Sequence, residues 1–411
     1  MTAPPTDTLD YQAAMAGDAF RRDPYPFYAR MRAGDPIHRT AQGIWYVFRY
    51  DDVEQALGDL RLSNDKDRMT GALVAQDGRM RELSRLVARL GRVMSNTDPP
   101  DHARLRKLVN KAFTARRVAE LRPRIQGVVD RLIDEADGPT FDALATAASP
   151  LPHAVVCELF GIPEADRAQV KEWFRGLGRI HEDIEKAEKV VDAFETYLTR
   201  LARERRADPG DDLISALVTA QAQDDRLTDH EVLSTCFMLI TAGDETTTNL
   251  IGNGLLALLR HPDQLEHLRN NPDLIRQAVE EFVRYDTPSQ AIVRVAAEEL
   301  DLAGHLLAPG DLVYLLLASA GRDPERYADP DRLDLTRAHP RHLGFGQGPH
   351  FCLGAPLARL ETEIAVSTLL ARCPGLRLAA DPDELDWRPN PLQRRLTALP
   401  VTHAPRKRTA R

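Results

Sequence analysis

The segment from Phe345 to Gly354, FGQGPHFCLG, carries the residue types in this chain that are best suited to chemistry. Three glycines and a proline within ten residues exclude a helix or a plain strand and predict a tight loop. The loop ends where a helix is predicted to begin, so the positive helix end should lower the pKa of Cys352 and favour the thiolate. Such a thiolate could be a soft metal ligand or a nucleophile, and a small buried hydrophobe is the third reading. The residues by themselves leave these three open.

A second group, AGDETT at 242–247, lies within a predicted long helix. Gly243 costs about 1 kcal/mol against alanine in a helix interior. The hydroxyl of Thr246 can bond to the carbonyl of Ala242 and bend the helix. An acid and an alcohol at a locally opened helix suggest proton handling, whereas small residues alone would serve a helix–helix contact. Both readings stand on the residues alone.

In two charged pairs, the spacing places both residues on the same face of a predicted helix. Glu281 and Arg284 are three residues apart, and His102 and Arg106 are four apart. Pairs of this kind are most often surface features worth a few tenths of a kcal/mol. Cys157, Cys236 and Cys373 form no C-x-x-C pair, which predicts small buried side chains rather than a zinc site or a disulfide framework.

The loop around Cys352 resembles the haem-binding loop of the cytochrome P450 family, F-x-x-G-x-x-x-C-x-G, in its soluble bacterial, class I form. Phe345, Gly348, Cys352 and Gly354 fill its four fixed positions. The AGDETT segment is similar to the family's A-G-x-[DE]-T-T signature, and the E-x-x-R and H-x-x-x-R motifs follow the family's order. The resemblance extends from about Pro24 to Val401.

This resemblance implies specific roles. Cys352 would be the axial thiolate ligand of haem b, a ligand that favours O–O cleavage. Thr246 and Glu245 would be the catalytic pair that delivers protons during O2 cleavage. Further residues implied to contact the haem or its propionates are His102, Arg106, Ala242, Gly243, Arg294, Phe345, His350 and Gly354. Glu281, Arg284 and Arg332 are implied to be structural, with Arg332 as the third partner of a buried pair. One departure is Gly321 in GRDP, where the family often has asparagine.

The resemblance also implies a monooxygenase that uses O2 and NAD(P)H to hydroxylate or epoxidise a lipophilic small molecule, such as a polyketide or macrolide, a terpenoid or a steroid. No G-x-G-x-x-G fingerprint opens a helix after a strand, so the electrons should come from a separate ferredoxin and ferredoxin reductase. The expected docking patch comprises Arg104, Lys107, Lys111, Arg116, Arg117 and Arg359. An H2O2-driven peroxygenase and a non-catalytic haem-binding or sensor protein are the alternatives, and the Glu245–Thr246 pair argues against both.

The elements that must position these residues follow from periodicity and capping signals. Thr228, with Glu231 three residues on, predicts a helix start, and the helix should run to about Arg260, where His261–Pro262 stops it. Further helices are predicted at 101–113, 118–136, 163–178, 183–205, 272–285 and 353–373, with strands at 44–49, 292–296, 301–302 and 312–317. The expected fold is mainly α with a small β part, with haem between the long central helix and the helix after Cys352. We expect a single domain over 1–411 with disordered ends at about 1–10 and 404–411.

The amino-acid composition limits the kinds of binding partner that the protein is expected to have. Lys and Arg number 54 against 62 Asp and Glu, giving a net charge of −8, which disfavours nucleic acid. Because no apolar stretch is long enough for a bilayer and no signal peptide is evident, the sequence predicts a cytoplasmic protein without membrane contact, expected to be a monomer. Aromatic residues total 6%, and none lies in 63–94, so we expect an aliphatic substrate pocket. Residues 63–94 and 165–205 are expected to form a mobile lid.

Overall fold

The computed structural model describes residues 17–65, 68, 93–136, 138–177, 184–222, 225–338, 341–390 and 392–404. Both expected disordered ends lie almost entirely outside this range, and so do most of the 63–94 connection and the expected helix break at 179–182. The described chain is mainly helical with small sheets, which confirms the expected fold class. Its helices are α1 Asp18–Arg22, α2 Tyr25–Gly34, α3 Tyr50–Gly58, α4 Asp101–Ala112, α5 Ala115–Glu120, α6 Arg122–Asp134, α7 Pro150–Leu159, α8 Glu164–Leu177, α9 Ile184–Ala207, α10 Leu213–Thr219, α11 Asp229–Arg260, α12 Pro262–Asn270, α13 Ile275–Tyr285, α14 Leu317–Ala320 and α15 Ala355–Arg372.

The strands are short. They are β1 Ile37–Arg39, β2 Trp45–Val47, β3 Leu62–Ser63, β4 Thr140–Asp142, β5 Gln221–Ala222, β6 Asp225–Arg226, β7 Ile292–Ala296, β8 Leu300–Leu302, β9 His305–Leu307, β10 Leu312–Leu315, β11 Arg377–Leu378 and β12 Pro400–Thr402. A five-stranded sheet has the order β1-β2-β10-β7-β3, and a three-stranded sheet has the order β11-β12-β4. β10 runs antiparallel to β7 and parallel to β2.

The chain divides into two compact units. The first comprises residues 1–62, 126–150 and 246–411, and the second comprises 63–125 and 151–245. In the first unit, the five-stranded sheet, α3 and α14 bury a continuous apolar cluster that includes Val47, Val53, Val313 and Leu315. In the second unit, α9 packs against α8 and α10, and α10 packs against α4. Burial of apolar surface of this kind is the main stabilising contribution to each unit.

Helix α11 begins as its sequence predicts. The backbone N–H of Thr228 donates to Glu231 at 2.8 Å, and the N–H of Glu231 donates back to the Thr228 hydroxyl at 3.2 Å, forming a capping box. The helix continues for 32 residues and ends at Arg260. Pro262, expected only to stop it, also begins α12, because a proline at the first helical position lacks only an N–H that would be unpaired there anyway.

Several short helices were not predicted. Among them are α2, α7, α10 and α12, which are too short to show a long periodic pattern. The helix expected at 118–136 is also divided at Leu121, between α5 and α6. β11 and β12 pair antiparallel, and a long connection joins them. Among the described residues, none of the helices has both the length and the apolar character that crossing a membrane requires.

Candidate active site

The loop before α15 holds Cys352 by its backbone. The N–H of Cys352 donates to the carbonyl of Phe345 at 2.9 Å, which closes the loop. Gly346 and Gly348 both have φ of +71°, a conformation that side chains rarely adopt, so these positions require glycine. The short 3₁₀ turn of the loop packs on α3, where a Cβ at Gly348 would lie an ordinary 3.5 Å from the carbonyl oxygen of Leu57. Backbone conformation at the glycines therefore contributes to the shape of the loop.

Cys352 differs from the other three cysteines in exposure. It is exposed three residues before the first residue of α15, whereas Cys157, Cys236 and Cys373 are buried, as the sequence predicted for them. Burial raises the pKa of Cys157 to about 11, and burial likewise raises the pKa of Cys236. A Cβ at Gly354 would lie 4.0 Å from the sulfur of Cys352. Of the four thiols, the exposed one beside a helix N-terminus is the one placed to act as a donor.

Helix α11 carries Glu245 and Thr246 without a break. The structure shows continuous α-helix from Asp229 to Arg260, so the locally opened helix expected here is not present in the backbone. Ala242 is exposed although it lies in the middle of the helix, and Gly243, Glu245 and Thr246 are partly exposed. A side chain at Gly243 would meet only Val156 of α7, at an ordinary 3.6 Å. An acid and an alcohol thus stand next to each other on an accessible stretch of helix.

The cationic residues expected at the propionates lie on three elements. His102 and Arg106 are on α4, where His102 is buried. Burial lowers the pKa of His102, and the positive charge of Arg106 lowers it further. Arg294 is buried on β7, where its guanidinium donates to the carbonyl of Val293 at 3.1 Å. His350 is partly exposed in the 3₁₀ turn of the cysteine loop.

The E-x-x-R pair is buried on α13. Arg284 donates to both carboxylate oxygens of Glu281 at 2.7 Å, and both side chains are fully buried. The third partner differs from the expectation. Arg332 contributes its backbone carbonyl, which accepts from Arg284 at 3.0 Å, and its side chain is exposed. The guanidinium that reaches Glu281 belongs to Arg337, at 3.4 Å, because the meander turns Arg337 rather than Arg332 toward α13.

The departure at Gly321 has a steric reason. A Cβ at this position would lie 2.4 Å from the carbonyl oxygen of Arg284, so a larger residue would displace the buried pair. The carbonyl oxygen of Gly321 itself accepts a hydrogen bond from the guanidinium of Arg284 at 2.8 Å. Next to it, Arg322 is buried and stacks on the rings of Tyr285 and Tyr25 at 3.6 and 4.0 Å. The turn is therefore formed in this chain without an asparagine.

Comparisons with known proteins show which family the chain resembles. The family model for cytochrome P450 matches residues 156–387. The chain is 45% identical to cytochrome P450 107B1 of Saccharopolyspora erythraea, covering 93% of this chain and 96% of that protein. It is 45% identical to the cytochrome P450 monooxygenase PikC of Streptomyces venezuelae, covering 94% and 92%. Its fold is similar to that of the cytochrome P450 PksS of the bacillaene polyketide synthase from Bacillus subtilis, with a TM-score of 0.87, 37% identity and coverage of 95% and 99%.

This chain belongs to the cytochrome P450 family. It is accordingly a haem-dependent monooxygenase of the bacterial type. The residues fit that cofactor, since a cytochrome P450 needs one accessible thiol for the iron and cations for two propionates. Within the first unit, the exposed Cys352 supplies the first, and Arg294 on β7 and His350 in the cysteine loop are candidates for the second.

Two features of this cytochrome P450 could not be found from its sequence motifs. Arg337 is a partner of Glu281, and Glu280, directly before that residue, binds both His342 and Arg359. The expected docking patch is also partly occupied by ion pairs: Arg104 with Glu231, Arg116 with Glu120, Arg117 with Asp211 and Arg359 with Glu280. Most of these ion pairs join residues that are distant in sequence, so only the three-dimensional structure shows them. The two successive glutamates at 280–281 were the sequence signal for the pairs on α13.

Proposed function

We propose that this cytochrome P450 is a monooxygenase in which Cys352 is the axial haem ligand. The observation that carries the proposal is the exposure of the Cys352 sulfur at a glycine-shaped loop that ends at a helix N-terminus. Haem with a thiolate ligand supplies the chemistry that activates O2 for insertion into an unactivated C–H or C=C bond. The protein's own residues must then hold the ligand, exclude water and deliver protons.

Thr246 and Glu245 are the residues we propose for proton delivery. They are adjacent on α11, and both are partly exposed within a helix whose following residues are buried. A carboxylate can take a proton from solvent, and a neighbouring hydroxyl can pass one on while holding a water molecule in place. Each of these tasks needs a side chain that water can reach, and this exposure supports the assignment.

Propionate binding is proposed for His102, Arg106, Arg294 and His350. The lowered pKa of His102 favours the neutral imidazole, which donates one hydrogen bond, while Arg106 brings the positive charge. Arg294 projects from a strand that is fixed on both sides, since β7 pairs with β10 and neighbours β3. A guanidinium so placed can bind a carboxylate with little loss of side-chain entropy.

The substrate we propose is a lipophilic natural product of the polyketide or macrolide class. In the first unit, Ile292 and Val293 on β7 are partly exposed. In the second, Leu239 is partly exposed and Ala242 exposed on α11. Accessible aliphatic side chains on regular elements suit contact with an apolar substrate. The solved relative that belongs to a polyketide synthase adds support for this class.

Electrons are proposed to arrive from a ferredoxin and its reductase. On α4, Lys107 and Lys111 are exposed, and they lie four residues apart on one helix face. Such cations favour association with an acidic partner mainly through the rate of encounter.

We also propose that the chain acts as one catalytic domain, because its first and last segments contribute to the same unit.

The test is reconstitution with a ferredoxin, its reductase, NADPH and ¹⁸O2. A panel of macrolides, terpenoids and steroids is first screened for the spectral change that accompanies substrate binding. The proposal predicts that a binding macrolide gains one ¹⁸O atom per molecule. Product formed with H2O2 at the same rate but not with the electron-transfer proteins would instead favour a peroxygenase.

A further inference from the structure

Glu280 joins three parts of the first unit through its carboxylate. Arg359 of α15 donates to it twice, from Nε at 2.5 Å and from Nη2 at 2.9 Å. His342 also binds it, with 3.0 Å between Nε2 and Oε2. Burial alone would raise the pKa of Glu280, but hydrogen bonds from His342 and Arg359 outweigh it and lower the pKa to about 2. The carboxylate of Glu280 is therefore ionised at neutral pH and faces the guanidinium of Arg359.

His342 ties this carboxylate to the start of the cysteine loop. The backbone N–H of Gly344 donates to Nδ1 of His342 at 3.2 Å. Since Nδ1 accepts, the ring proton lies on Nε2 and points at Glu280. Gly344 itself leaves no room for a side chain, because a Cβ there would lie 2.4 Å from Val283 of α13. The imidazole thus fixes the loop at its first turn.

Arg359 fixes the loop at Phe345. Its guanidinium carbon lies 4.5 Å from the centre of the Phe345 ring, and the ring of His342 lies 5.7 Å from the same ring. A cation over an aromatic face is held there electrostatically. The carbonyl of Phe345 is the acceptor for the N–H of Cys352. The contacts of Glu280 consequently end one hydrogen bond away from the proposed haem ligand.

We infer that Glu280, with Arg359 and His342, positions the cysteine loop, and that the opposite charges of Glu280 and Arg359 tune the reduction potential of the haem iron that Cys352 would bind. This inference rests on the proposed ligation of haem by Cys352. Glu280 and Arg359 nearly cancel each other as seen from the loop. Removing the carboxylate leaves a cation that favours the reduced, more electron-rich state, and removing the guanidinium leaves an anion that disfavours it.

The experiment measures the ferric–ferrous reduction potential of purified holoprotein by dye-mediated titration. The variants are Glu280→Gln, Arg359→Met and the double variant. The controls are Arg276→Met and Glu363→Gln, which break a 3.7 Å pair between the same two helices with Arg276 largely exposed. We expect the potential to rise in Glu280→Gln, to fall in Arg359→Met, and to return toward the original value in the double variant, with the controls unchanged.

Loss of a purely structural support would shift both single variants in the same direction, so equal signs overturn the inference. Shifts no larger than those of the controls also overturn it. If Glu280→Gln does not retain haem, the double variant decides: regained haem supports the inference and continued loss contradicts it. If Arg359→Met does not retain haem, Arg359→Lys is measured instead. This variant keeps the positive charge and should keep the reduction potential. A shift of its potential as large as that of Glu280→Gln contradicts the inference. A missing thiolate band in the CO spectrum of the unaltered protein would refute the ligation itself, which separates the two failures.

Discussion

The two halves of helix α11 are packed in different ways. From Thr247 to Leu259 every residue is buried, and glycines at 252 and 254 allow neighbouring segments to approach closely. From Glu231 to Thr246 buried residues are mixed with partly exposed ones, and Thr241 and Ala242 are exposed. The second half of the helix is therefore part of a core, whereas part of the first half is accessible to solvent.

This difference shows where chemistry can be placed on a long helix. A buried helix tolerates only side chains that fit, so selection there is steric. An accessible stretch can hold an acid and an alcohol with water beside them. Glu245 and Thr246 lie at the last accessible turn before the core begins, where the helix is anchored on one side and open on the other. The same geometry makes the two halves respond differently to similar substitutions.

The largest effect on stability is expected from Gly254→Ala. A Cβ at this position would lie 2.6 Å from the ring of Phe282, which is 1% exposed and cannot move aside. Overpacking should lower the free energy of unfolding by roughly 1–3 kcal/mol. Gly252→Ala is the matched control, since its close contact would be with a terminal methyl of Leu144, and a flexible side-chain end can shift more easily than the Phe282 ring. Denaturant unfolding measures both, and an equal loss in the two variants would contradict the steric account.

Thr246→Ala should uncouple electron use from product formation while leaving the fold intact. Substrate should still bind and NADPH should still be consumed, but product per NADPH should fall by roughly tenfold or more because a proton-transfer group is missing. Hydrogen peroxide should accumulate in its place. The control is Thr248→Ala, which removes a buried hydroxyl bonded to the carbonyl of Ala148. That variant should lose about 1 kcal/mol of stability and keep its coupling. Equal coupling in the two variants would remove Thr246 from the mechanism.

Ala242→Leu should weaken substrate binding several-fold with little change in stability. The position is exposed on the helix and is proposed to face the haem and the substrate, so the larger side chain takes space from these rather than from the protein core. Spectral titration with a macrolide ligand measures the dissociation constant. Ala257→Leu, at a buried position in the second half, is the counterpart and should lose stability. If Ala242→Leu destabilised the protein to the same extent, the first half of α11 would be packed like the second.

The smallest effect is expected from Gly243→Ala, and it has the opposite sign to Gly254→Ala. The new Cβ would meet Val156 at an ordinary 3.6 Å. Alanine also costs less backbone entropy than glycine in a helix, so the free energy of unfolding should rise by roughly 0.5–1 kcal/mol. The same denaturant titration measures it. A decrease as large as that of Gly254→Ala would show that both halves are packed alike.

The sequence predicted the features that depend on local patterns. The capping box at Thr228, the extent of α11, the strand at 292–296 and the helix after Cys352 all follow from spacing and end signals. The chemical motifs also identified the family. What it could not predict depends on contacts between distant segments. Arg332 and Arg337 are both arginines of the meander, and only the path of the backbone decides which one reaches Glu281.

The proposed role of Cys352 is tested most directly by the CO difference spectrum of the reduced protein. The unaltered protein should show the red-shifted Soret band that thiolate ligation gives. Cys352→Ser should lose this band, while Cys236→Ser, which changes a thiol that is 1% exposed, should keep it. Persistence of the band in Cys352→Ser would contradict the assignment of the haem ligand and, with it, this account of the active site.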